Sequence, residues 1–193
     1  MSSETRVAAL AALAYGMINE RDGYRYYNVV ADHVRDIKGQ AMFRGLARDE
    51  VKHYQILAAQ YLSVRENRGW LPLSEAESAD VPAIDDFEID ARDVSQSAIP
   101  DERLFPDPSV VVADLDQGTG DLQAIDLALE AEQRGYNMYR EAHDRATDAN
   151  AKAAYRVLMD EERRHYEWLR QSRRYLDNND TYWDDTELPF FTG

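Results

Sequence analysis

The sequence predicts an all-α protein, an antiparallel four-helix bundle made of two repeated helical hairpins joined by a long crossover. Three observations carry this. Apolar residues recur at spacings of three and four in four separate stretches. The second pair of stretches repeats the first at a constant offset of 112 residues. Glutamates and histidines, the same ones in both copies, sit on stripes that are otherwise apolar.

The chain of 193 residues is long enough for one domain with a sizeable core and short for two. Its formal charge, 22 − 37 = −15, argues against a nucleic-acid backbone or an anionic membrane surface as partner. There is no cysteine, which excludes disulfides, thiolate metal sites, iron–sulfur clusters and a catalytic thiol. That absence is compatible with a reducing cytoplasm, the expected compartment. Residues 7–13 form an alanine-rich apolar run after a single arginine and superficially resemble a signal peptide. The same periodicity continues through Tyr27, however, so the run reads as the first turns of a helix with Ser3 or Thr5 as N-cap. No run approaches the roughly 20 apolar residues of a membrane span.

The first helix is expected over about residues 5–36, with Val7, Leu10, Leu13, Met17, Glu20, Tyr24, Tyr27 and Ala31 inward. Residues 35–39 read as a turn, and the second helix runs from about 39 to 66 with Met42, Phe43, Leu46, Glu50, His53, Leu57 and Tyr61 inward. Residues 67–119 differ. Pro72, Pro82, Pro100, Pro106 and Pro108 fall there, and residues 75–121 hold 14 acids against two arginines. No period persists, so this stretch is expected to be an acidic crossover anchored by Leu104, Phe105 and residues 110–112. Helical periodicity resumes at about 120 with Leu122, Ile125, Leu129, Glu132, Tyr136, Tyr139 and His143. After a turn at 147–150, the fourth stripe carries Tyr155, Leu158, Glu162, His165 and Leu169, and the second hairpin closes at about 177. The tail, 178–193, offers Tyr182, Trp183, Phe190 and Phe191 for docking.

Residues 10–62 laid over 122–174 give 15 identities in 53 positions without a gap. Glu20 falls on Glu132, Gly23 on Gly135, Tyr27 on Tyr139, and Glu50-x-x-His53 on Glu162-x-x-His165. In each copy the lone glutamate stands 30 residues before the Glu-x-x-His pair, whose members share a helix face. Pseudo-twofold symmetry then brings Glu20, Glu50, His53, Glu132, Glu162 and His165 to one level of the core. One glutamate from each of two helices, plus Glu-x-x-His from each of the other two, is the ligand set of two-metal carboxylate bundles. The charges agree with it. Four unpaired buried carboxylates would cost several kcal/mol per ion, whereas two divalent cations make the site neutral. Oxygen-rich ligation with two imidazoles suits iron or manganese, and zinc is also compatible. Tyr27 and Tyr139 lie near the site, either as packing or as hydrogen-bond donors to the ligands. Gly23 and Gly135 leave room for a small oxidant or for close helix contact. Asp32/Asp144 and Arg44/Arg156 also repeat and read as outer supports of the site or of the hairpin ends.

On these residues the chain resembles the rubrerythrin family of the ferritin-like superfamily. The resemblance covers both hairpins and implies a ferritin-like bundle holding two iron ions. The six residues would be the iron ligands, Glu50 and Glu162 bridging and Glu20 and Glu132 terminal. Many members reduce hydrogen peroxide with electrons delivered from outside. The rubredoxin domain of the best-known members needs four cysteines, so here the electron donor is expected to be a separate protein. A further glutamate ligand of those members has only Glu130 as a candidate, and two residues from Glu132 it points some 200° around the helix. The leading expectation is therefore a non-haem di-iron oxidoreductase acting on hydrogen peroxide or dioxygen. Ferroxidase activity with iron handling is the alternative, and a non-catalytic metal-binding bundle the second. The apolar tail residues fit a homodimer contact.

Overall fold

The computed structural model describes residues 3–89, 103–179 and 181–182. Among them there are six helices and no strand: α1 Ser3–His33, α2 Ile37–Arg65, α3 Leu73–Glu77, α4 Ser109–Gln117, α5 Asp121–Arg145 and α6 Ala149–Asn179. The fold is the expected ferritin-like helical bundle. The four long helices pair as antiparallel hairpins. Arg6, near the start of α1, reaches the Arg65 carbonyl at the end of α2. Arg173, late in α6, binds Asp126, early in α5.

Each hairpin turns on an aspartate at the repeat offset. Asp36 has extended backbone, and its Oδ1 accepts from the Lys38 and Gly39 amides at 2.7 and 3.1 Å. Asp148 does the same for α6, accepting from the Asn150 and Ala151 amides at 2.8 and 3.2 Å. These caps satisfy amides that a helix start leaves without partners. They also correct the expected limits: the first helix ends at His33 and the second begins at Ile37. The aspartate side chain, not loss of apolar periodicity, sets the boundary.

The hairpins bury Leu13, Met17, Tyr27 and Val30 of α1 and Met42, Phe43, Leu46 and Leu57 of α2 against α5 and α6. Removing each large apolar side chain from water contributes about 1.5–3 kcal/mol. Two stripe assignments shift. Val7 is 48% exposed and so lies off the buried face. On α5 the fully buried positions are Ala124, Ile125, Ala128, Ala131, Glu132, Gly135 and Tyr139, while Leu122, Leu129, Tyr136 and His143 are only partly buried. Small side chains let α5 lie close to its neighbours and rotate the stripe toward them.

The crossover is not featureless. Pro72 and Pro108 stand at the N-cap positions of α3 and α4, where the fixed φ of proline suits helix entry. Gly118, in the left-handed conformation at φ 78°, ends α4. The helix α3 covers Ile56, Ala59 and Ala154. Leu104, Phe105, Val111 and Leu115 enter the main core, whereas Val110 faces solvent. Tyr182 is fully buried, its hydroxyl donating to Asp121 Oδ2 at 2.9 Å and its ring edge-on to Phe43. Pro100, Trp183, Phe190 and Phe191 lie outside the described residues. Among the described residues no helix is long and apolar enough to cross a membrane.

Candidate metal centre

The structure brings all six predicted site residues together. Glu20 comes from α1, Glu50 and His53 from α2, Glu132 from α5, and Glu162 and His165 from α6, and none is more than 4% exposed. Glu20, Glu50, His53 and Glu162 place one ligand-type atom each within 4.8 Å of one another, and Glu50, Glu132 and His165 do likewise. His53 Nδ1 lies 3.2 Å from Glu20 Oε2, 3.3 Å from Glu50 Oε2 and 3.8 Å from Glu162 Oε1. His165 Nδ1 lies 3.5 Å from Glu132 Oε1 and 3.7 Å from Glu50 Oε1. The two imidazole rings stack with centroids 5.3 Å apart.

The tyrosines tie the halves across the bundle. Tyr27 of α1 donates to Glu132 of α5, and Tyr139 of α5 donates to Glu20 of α1. Burial, reinforced by the neighbouring carboxylates, holds both phenols well above their ordinary value, so they stay protonated donors.

The metal-free cluster offsets part of its own charge with protons. Burial and the adjacent Glu20 raise the Glu50 carboxyl well above the usual range, and burial with Glu132 does so for Glu162. Burial would also raise Glu20 and Glu132. For Glu20, hydrogen bonds from Glu50, His53 and Tyr139 outweigh it; for Glu132, the His165 charge and its hydrogen bonds do, and both end below the ordinary value. Burial opposes charging of the histidines, but Glu20 and Glu50 push His53 up to about 10, and Glu132 with Asp49 pushes His165 up to about 9. The raised carboxyls and the raised imidazoles thus both favour retained protons in the metal-free cluster.

Protons nevertheless leave the site incompletely satisfied. Glu50 Oε1, Glu132 Oε2, His53 Nε2 and both ring nitrogens of His165 are buried without a hydrogen-bond partner. Of these, Glu50 Oε1, Glu132 Oε2 and His165 Nδ1 face the cluster, are costly to leave unpaired in a native core and point to a missing cation. The donor set, carboxylate oxygens and imidazole nitrogens, fits divalent cations. The family model for rubrerythrin matches residues 11–172. The chain belongs to the rubrerythrin family. No match was found among curated proteins or solved structures.

In this rubrerythrin-family chain the repeated glycines adjoin the carboxylates. A Cβ at Gly135 would lie 2.9 Å from Glu162 Oε2, and one at Gly23 would lie 2.9 Å from the Phe105 ring and 3.3 Å from Glu50 Cδ. The room is therefore already taken by ligand side chains and by Phe105. Periodicity gave Phe105 only an anchoring role, whereas it packs edge-on to Tyr27 beside the centre. Its segment is pinned by the Arg103–Asp22 ion pair and by Arg134 donating to the Leu104 carbonyl. Glu130 is exposed, as its position on the helix predicts. Arg44 and Asp32 form an exposed pair at 3.0 Å, while Asp144 turns to His143, so neither aspartate supports the centre. Sequence reading missed Asp49 and Glu161, whose carboxylates face His165 Nε2 and His53 Nε2 at 3.5 and 3.9 Å. The available signal was an acid at both copies of one repeat position.

Proposed function

We infer that this protein is a non-haem di-iron oxidoreductase that reduces hydrogen peroxide, or dioxygen, with electrons from a separate donor protein. The observation that carries the reading is the buried set of four glutamates and two histidines, whose ligand-type atoms converge and whose full ionisation two divalent cations would balance. In this reading Glu20 with His53, and Glu132 with His165, would hold one iron each, with Glu50 and Glu162 available to both. Iron held there would supply the redox chemistry for peroxide reduction, in which two electrons and two protons convert one peroxide into two waters. Tyr27 and Tyr139 keep Glu132 and Glu20 aligned by donating to them. Burial excludes bulk water and restricts access to small oxidants. These 193 residues hold no cysteine with which to build an iron–sulfur electron relay, so this reading takes the electrons from outside them. The same lack of thiols suits a reducing cytoplasm.

Metal analysis of protein from its native source, then anaerobic Fe(II) loading and separate exposure to peroxide and dioxygen, tests this. About two irons per chain are expected from the ligand count, with rapid oxidation by one oxidant and retention of the metal. Glu50→Ala combined with Glu162→Ala abolishes binding. Binding that survives the double substitution overturns the site. Iron accumulating as mineral would replace the reading with iron handling. Tight zinc and a reduced iron form inert to both oxidants would leave a non-catalytic bundle.

A further inference from the structure

The four residues around the outer nitrogens of the histidines form a second repeated set. Asp49 immediately precedes Glu50, and Glu161 immediately precedes Glu162. Because α2 and α6 lie side by side, each acid meets the histidine of the other hairpin. His165 Nε2 is 3.5 Å from Asp49 Oδ2, and His53 Nε2 is 3.9 Å from Glu161 Oε2. The Nδ1 atoms point the other way, into the glutamate cluster. Each acid is held in turn by a cation three residues along its own helix. Lys52 Nζ lies 2.6 Å from Asp49 Oδ1, and Arg164 pairs with Glu161. Lys52 and Arg164 also stand at the repeat offset. The arrangement of cation, acid and opposite histidine thus occurs twice. The residue types have diverged between copies, aspartate to glutamate and lysine to arginine, while the charges have not.

The geometry points to Asp49 and Glu161 as positioning residues for the metal centre. A neutral imidazole carries one N–H and one lone pair, and only the lone pair binds a metal. A carboxylate facing Nε2, at 3.5 and 3.9 Å an ion-pair contact and not yet a hydrogen bond, favours the proton on that nitrogen and leaves the Nδ1 lone pair facing the four glutamates. Because each contact crosses from one hairpin to the other, it also fixes the ring planes relative to the opposite Glu-x-x-His pair. Asp49 is closer and its side chain is 14% exposed, against 22% for Glu161. Asp49 therefore has the larger effect. The inference rests on the metal-centre reading above. If these acids served only as i,i+3 surface pairs with Lys52 and Arg164, their worth would be small and unrelated to metal.

The test uses Asp49→Asn, Glu161→Gln and Asp49→Glu in the full chain, titrated with zinc. Zinc is redox-inert, so affinity is read apart from activity. Proton–nitrogen spectra of the histidine rings in the zinc-loaded forms give the tautomer, and thermal unfolding of the metal-free forms controls for folding. Asp49→Asn and Glu161→Gln are expected to weaken zinc binding about 10- to 100-fold, the former more. In wild type the ring proton sits on Nε2 of both histidines, and in Asp49→Asn the His165 signal becomes a mixture of tautomers. Asp49→Glu, which keeps the carboxylate, recovers most of the affinity. Wild-type zinc affinity and unchanged tautomers in both amide variants overturn the positioning role while leaving the metal centre intact. A wild-type chain that binds no divalent metal overturns the centre itself.

Discussion

At the scale of single residues, the site depends on what two glycines omit and what two tyrosines donate. Alanine at Gly135 would bring a methyl to 2.9 Å from Glu162 Oε2, a flexible end that can retreat. Gly135→Ala should therefore fold with equal or greater stability, since alanine is favoured over glycine in a helix by about 1 kcal/mol, yet bind metal more weakly. Paired thermal melts and metal titrations check this. Gly23→Ala differs, because its methyl meets the Phe105 ring as well as Glu50. Tyr27→Phe and Tyr139→Phe remove the donors to Glu132 and Glu20. Each should cost the metal-free protein about 1–3 kcal/mol, the penalty of leaving a buried charged acceptor short of a partner, as urea unfolding would measure.

At the scale of elements, the hairpins are set by the repeated caps and the bundle by the crossover. Asp36→Ala and Asp148→Ala each remove a side-chain acceptor from two helix-start amides. Each should lower stability by about 1 kcal/mol. The double substitution should be additive, because the caps lie in separate hairpins and share no partners; denaturant unfolding of the single and double variants decides it. The crossover contributes core residues instead of merely connecting helices. Leu104, Phe105, Val111 and Leu115 sit among α1, α2 and α5 side chains. Phe105→Ala should cost about 3–5 kcal/mol as a large-to-small core change, read in the same unfolding experiment.

At the scale of the whole molecule, the buried cluster couples folding and metal binding to pH. His53 and His165 are raised from 6.5 to about 10 and about 9 in the folded chain. Their contribution to stability is full below 6.5 and is lost as pH rises through those values. Glu50 and Glu162, raised above 4.5, act in the same direction, because folding costs more once the unfolded carboxyls ionise. Glu20 and Glu132, held below 4.5, contribute above that value and lose it as acid protonates them. Metal-free protein should therefore melt at falling temperatures between pH 6.5 and about 10. Metal loading should remove that decline, because the ions replace the protons. Filling both positions should release protons, because metal binding needs the histidines and carboxyls deprotonated. Calorimetric titration in buffers of different ionisation enthalpy counts them, and metal affinity should rise with pH.

The fold and the ligand set could be read from the sequence because both rest on spacing. A period of 3.6 fixes which residues share a helix face, and the 112-residue repeat fixes that the faces occur twice. Glu20, Glu50, His53 and their copies were visible for that reason alone. The other features depend on contacts between segments far apart in the chain. That Tyr27 serves Glu132 and Tyr139 serves Glu20 follows from how α1 meets α5, not from either helix. That the small residues of α5 face inward follows from close helix approach, which periodicity does not register. That Phe105 lies beside Gly23, and that Asp49 faces His165 instead of its own hairpin's histidine, was decided only when the chain folded. Local periodicity determines which side of a helix is buried; tertiary packing determines what that side meets.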